Sequence, residues 1–115
     1  MTVVTLSCGK NGVLEKCEAN GHANFSRRGA DIVCAAISFL LRTEMQVLSH
    51  TENVLLTADT SARGNLAFTA EAKDGNLETE IRLKYAADFI RDGIRSLEKE
   101  FPGNVKFLET KISGK

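Results

Sequence analysis

The two side chains best suited to covalent chemistry are His22 and Cys34. Between them lies a polar stretch bounded by Gly21 and Gly29. Cys34 sits where that stretch gives way to a long apolar helix pattern: Ile32, Val33, Ala35, Ala36, Ile37, Phe39, Leu40 and Leu41. A thiol at a helix start meets unpaired backbone N–H groups and the positive end of the helix dipole. Both favour thiolate, the nucleophilic form of cysteine. An imidazole within reach can take the thiol proton and return it to a leaving group. Asp31, Cys34 and Ser38 are three and four residues apart, so they form one polar stripe on an otherwise apolar helix. Such a stripe on a buried helix requires a cleft or a polar partner. The plainer reading makes Asp31 an N-cap and Cys34 a small core residue, since free cysteine is among the most buried residue types.

Gly21-His22-Ala23, followed by Gly29 and Asp31-Ile32-Val33-Cys34-Ala35-Ala36-Ile37-Ser38, closely resembles the ribosomal-processing cysteine protease family of bacteria. The resemblance covers the whole chain in length and element order; its specific part is residues 21–38. It implies His22 as the catalytic histidine and Cys34 as the nucleophile, with Asp31 orienting His22 or capping the helix. Gly21, Ala23, Phe25, Gly29 and Ser38 become the candidate substrate-loop residues. The family pattern leads to glycine where this chain has Asn24, and to a more neutral or acidic loop than Arg27 and Arg28 give. The implied activity is that of a cysteine endopeptidase (a thiol protease) in ribosome biogenesis. It would remove a short N-terminal extension from a ribosomal large-subunit protein, cutting after an apolar, aromatic-rich stretch. A cytoplasmic homodimer with no metal or organic cofactor is implied as well. Two other classes stay open. One is a non-enzymatic ribosome-assembly or binding module with structural His22 and Cys34. The other is a thiol redox sensor, which needs a resolving cysteine in reach.

Length bounds the chain to one domain, residues 1–115. Fifteen basic and fifteen acidic side chains cancel. That balance argues against a dedicated nucleic-acid surface, so no direct nucleic-acid binding is expected. No 18-residue apolar run is apparent, so no membrane span is expected. The N-terminus lacks the charged start and apolar core of a signal peptide. Three cysteines without a Cys-x-x-Cys pair point to free thiols in a reducing cytoplasm. A zinc set of Cys8, Cys17, His22 and Cys34 would lack the paired ligand spacing of structural sites.

The elements that must position these residues follow from periodicity. Residues 2–8 alternate, Gly9-Lys10-Asn11-Gly12 is a hairpin turn, and residues 13–19 return with Val13, Cys17 and Ala19 on one face. Cys8 and Cys17 then share a face. Residues 20–29 read as a loop whose glycines can hinge a gate over the substrate. A helix over about residues 30–48 follows, with His50 at its end near the terminal carbonyls. Residues 53–60 and 66–73 form a second hairpin. Asp74-Gly75-Asn76 caps a helix over residues 77–101, with Leu77, Ile81, Phe89, Ile90, Ile94, Leu97 and Phe101 inward. Residues 104–112 make the last strand, with Val105 and Phe107 inward. The order β-β-α-β-β-α-β gives an α+β fold: a mostly antiparallel sheet with two helices.

Overall fold

A computed structural model of the chain describes residues 1–21, 28–60 and 64–111, with residues 28–31 as backbone only. The strands are β1 (Thr2–Cys8), β2 (Leu14–Gly21), β3 (Val54–Asp59), β4 (Asn65–Ala72) and β5 (Val105–Lys111). The helices are α1 (Arg28–Ser49) and α2 (Leu77–Glu100). The sheet order is β3-β4-β2-β1-β5. All neighbours are antiparallel except β1 and β5, which run parallel. The α+β class and element order are those expected from the sequence.

The first turn works as its Asn-Gly pair requires. Asn11 and Gly12 take φ of 64° and 76°, and Val13 N donates to Lys10 O at 3.4 Å. Positive φ at both central residues matches the right-handed twist of the flanking strands. Val4, Leu6, Leu14, Cys17, Leu66 and Phe68 are buried on one sheet face. Their neighbours Thr69 and Glu71 are exposed, so only one face is covered. The cover comes from Val33, Ile37, Leu41 and Leu48 of α1 and from Leu83, Ala86, Ala87, Ile90 and Ile94 of α2. Each fully buried Leu or Ile contributes roughly 1.5–3 kcal/mol.

Several boundaries and faces differ from expectation. Strand β2 continues to Gly21, and α1 already begins at Arg28, so the connection is shorter than 20–29. On α2, Leu77, Ile81 and Phe89 are 69 %, 44 % and 51 % exposed rather than inward. That helix carries two apolar stripes. The sheet selects the one with small Ala86 and Ala87, which permits close approach, and leaves the bulkier one outside. The end of α1 is capped by Ser49 Oγ donating to Gln46 O and Thr51 Oγ1 donating to Val47 O. That is the work expected of His50, which is exposed. Arg91 does not sit on a merely solvated face. Its guanidinium lies 2.6 Å from Glu109 and 2.7 Å from Asp88, tying α2 to the edge strand β5.

The expected absence of a long apolar stretch is also corrected. Ile32–Ser49 has a mean hydropathy of 1.4, long and apolar enough by composition to cross a membrane. Ser38, Arg42, Thr43 and Glu44 break any continuous run, but they do not bring the average down. In this fold one stripe of the helix packs on the sheet, and Ile32, Phe39 and Val47 remain exposed.

Glu44, on the same helix, is only 8 % exposed. It has no ion-pair or hydrogen-bond partner among the described residues. Burial pushes its carboxyl up. The folded chain therefore holds this proton to higher pH than the unfolded chain does. Ionising Glu44 costs stability as pH rises past the unfolded value of about 4.3. Glu44→Gln is expected to raise the Tm at pH 7, with the gain fading as pH falls toward about 4 and absent below it. A variant no more stable than the parent at pH 7 would contradict this.

Candidate active site

Cys34 is the seventh residue of α1, nearly two turns in. Helix-end effects are confined to the first turn. The expected activation by a helix start is thus corrected: what acts on this sulfur is its immediate surroundings. Asp31, the fourth residue of α1, lies inside the first turn rather than at a capping position.

Three chain segments converge on Cys34. Thr2 opens β1, and its Oγ1 lies 3.7 Å from Cys34 Sγ, close enough to donate to a thiolate. Gly21 ends β2 and is paired with Thr2 across the sheet. Its N–H donates to Gly64 O at 3.0 Å. This packing leaves no space for larger residues. A β-carbon on Gly21 would fall 2.9 Å from Thr2 Cα and 2.5 Å from Thr2 Oγ1. One on Gly64, whose φ is +77°, would fall 2.5 Å from Gly21 O. The result is an open cleft of about 320 Å³ with Cys34 on its wall. Apolar Ala19, Ile37 and Leu66 line it, as do polar Ser38, Arg42 and Asn65. Asn65 Oδ1 is buried with no hydrogen-bond partner among the described residues.

Of the residues singled out in the sequence, the cleft gathers Gly21, Cys34 and Ser38. Gly29 and Asp31 belong to the backbone of α1. His22, Ala23 and Phe25 lie outside the described residues, as does most of the expected gate. His22 directly follows Gly21 in the chain. Sequence reasoning missed Thr2, Arg42 and Asn65. Arg42 carried a usable signal, because it continues the four-residue step from Cys34 through Ser38. Thr2 carried none.

The other thiols are placed for packing. Cys8 and Cys17 are 3 % and 0 % exposed. Burial raises the Cys8 thiol despite the opposing charge of Arg91. Burial likewise pushes Cys17 up to about 12. Cys8 stands at the far end of β1 from Thr2, roughly 20 Å along the strand. A disulfide needs Cα atoms within about 7 Å, so Cys8 is no resolving partner for Cys34.

The model of the family described as cysteine protease Prp matches residues 1–106. The crystal structure of SMU.848 from Streptococcus mutans is similar at 25 % identity and a TM-score of 0.74, over 97 % of this chain and 96 % of that one. Two structures of an essential ribosomal processing protease Prp from S. aureus share the fold. The one in complex with a substrate peptide has 15 % identity and a TM-score of 0.79, covering 95 % of this chain and 99 % of that one. The one with a covalently linked product peptide has 19 % identity and a TM-score of 0.72, with the same coverage. No curated protein matches the sequence.

Native protein treated with iodoacetamide near neutral pH is expected to be modified at Cys34, with Cys8 and Cys17 reacting only on unfolding. Thr2→Val removes the hydroxyl at constant shape and should slow Cys34 modification about tenfold, as for loss of a hydrogen bond to a charged group. Peptide mapping reads both. Equal modification of all three thiols, or a rate untouched by Thr2→Val, would count against the site.

Proposed function

The chain belongs to the cysteine protease Prp family, and from that premise we propose that it removes the short N-terminal extension of a bacterial ribosomal large-subunit protein through a Cys34–His22 dyad. The observation that carries this reading is the position of Cys34 on the wall of an open cleft that Gly21, the residue before His22, also lines. Apolar Ala19, Ile37 and Leu66 suit an extension whose residues before the cut are apolar or aromatic.

The reaction is acyl transfer. Cys34 thiolate attacks the scissile carbonyl carbon, forming a C–S bond, and negative charge moves to the carbonyl oxygen. Backbone N–H groups beside the cleft stabilise that oxyanion. His22 imidazolium donates its proton to the amide nitrogen as the C–N bond breaks and the processed protein leaves. Water then gives a proton to His22 and attacks the thioester carbonyl. The peptide acid departs and the Cys34 thiolate is restored. No metal or organic cofactor takes part. We place the enzyme in the cytoplasm as a homodimer, a state supported by the exposed Phe39 and Phe89 on its outer helical surface.

A synthetic peptide spanning the candidate extension should be cut once by the parent protein and not by Cys34→Ala. His22→Ala should lower kcat/KM by roughly 100-fold or more. An uncut peptide, or a Cys34→Ala variant as active as the parent, would overturn the reading. In sedimentation, Phe39→Glu together with Phe89→Glu should convert dimer to monomer; a parent protein that is already monomeric would remove the dimer.

A further inference from the structure

A second cleft lies about 15 Å along α1 from Cys34, estimated from ten residues of helical rise. It has a volume of about 550 Å³ and opens between the end of α1 and the first half of α2. Glu44, more than nine-tenths buried and without a partner among the described residues, lines it. Val47, Leu48 and Ala86 give apolar walls. Tyr85, 70 % exposed, stands at the rim.

We infer that this cleft is a recognition site for a lysine or arginine side chain presented by a polypeptide partner. A carboxylate on so buried a residue, reaching solvent only through the cleft and left unpaired, is costly unless something compensates it. Five features favour a cation with an apolar stem. Glu44 supplies the counter-charge. Glu52 adds a second acid to the lining. The α1 helix ends at Ser49, so its negative end faces the same space. Tyr85 offers a ring face to a cation, while the apolar walls take the methylene stem. The cleft's own Arg82 does not fill the role: its guanidinium is 3.5 Å from Glu78 and makes no ion pair with Glu44. Burial pushes the free Glu44 carboxyl up, and an arriving cation would hold it ionised. This site does not depend on the thiol chemistry of the first cleft.

The test uses the full-length ¹⁵N-labelled protein and two tripeptides, acetyl-glycyl-arginyl-glycinamide and its citrulline counterpart. Citrulline keeps the shape and loses the charge. The arginine peptide should give saturable amide shifts at residues 44–52 and 82–86, and the citrulline peptide none. Glu44→Gln should bind the arginine peptide about tenfold more weakly, as expected for loss of a charged hydrogen bond. Its Tm shows that the fold survives. Tyr85→Leu should weaken binding as well, by a smaller factor. The inference is overturned by equal shifts from both peptides, by no saturable shift, or by undiminished binding to Glu44→Gln. It is also overturned if these same amides shift on dilution of the protein alone, in step with dissociation of a dimer. The cleft would then be an interface between copies of this chain.

Discussion

The site depends on a steric constraint where β1, β2 and β4 end together. Gly21 has Thr2 on one side and the backbone of Gly64 on the other, with no space for a side chain. The two strand pairings that set this contact, Thr2 with Gly21 and Asn20 with Asn65, belong to the ladders that organise the whole sheet. Core burial therefore fixes the spacing at the cleft. Val4 and Leu6 anchor β1, Cys17 and Ala19 anchor β2, and Leu66 and Phe68 anchor β4. Thr2 reaches Cys34 because α1 lies across this corner with Val33 and Ile37 buried against the sheet. A thiol two turns into a helix receives little from the helix dipole. Among the described residues, the hydroxyl of Thr2 is the polar side chain in reach of this sulfur.

The helical layer shows a different balance. α1 and α2 both carry more apolar surface than the sheet can cover. Phe39 is 75 % exposed and Leu77 69 % exposed, while Glu44 is buried. Exposed bulky groups beside a buried carboxylate reverse the usual sorting of apolar and polar side chains. Large apolar side chains gathered on one surface belong to interaction faces more often than to bare solvent. The polar anchors of the layer are firm by contrast. Arg91 binds Glu109 and Asp88, and Arg95 lies 5.5 Å from the Phe107 ring, so α2 is held to β5 at its polar edge.

Much of this was legible in the sequence for local reasons. Strand alternation from Thr2 to Cys8 and the Asn11-Gly12 pair specify the first hairpin. Asn76 was readable as a cap, and its Oδ1 accepts from Glu78 N at 2.8 Å. That Cys34 and Ser38 share one helix face, which here lines the cleft, was readable from their spacing. What was not legible depends on contacts distant in sequence. Thr2 is brought to Cys34 by sheet order alone. The inner face of α2 was misassigned because Leu77, Ile81 and Phe89 are larger than the alanines that pack inward. The buried state of Glu44 follows from helix–helix contact, which a single helix pattern does not encode. The extent of α1 was underestimated because the residues before Asp31 read as loop.

The most direct measurement is intact-mass spectrometry after mixing the protein with the candidate extension peptide ending in a chloromethyl ketone at the cut position. Seated in the cleft, that group alkylates the nucleophile and leaves a permanent thioether with loss of chloride. One adduct per chain, mapped to Cys34 and greatly slowed in His22→Ala, is the expected result. An adduct on Cys8 or Cys17, or modification of Cys34 at the same rate with and without His22, would contradict a Cys34–His22 dyad.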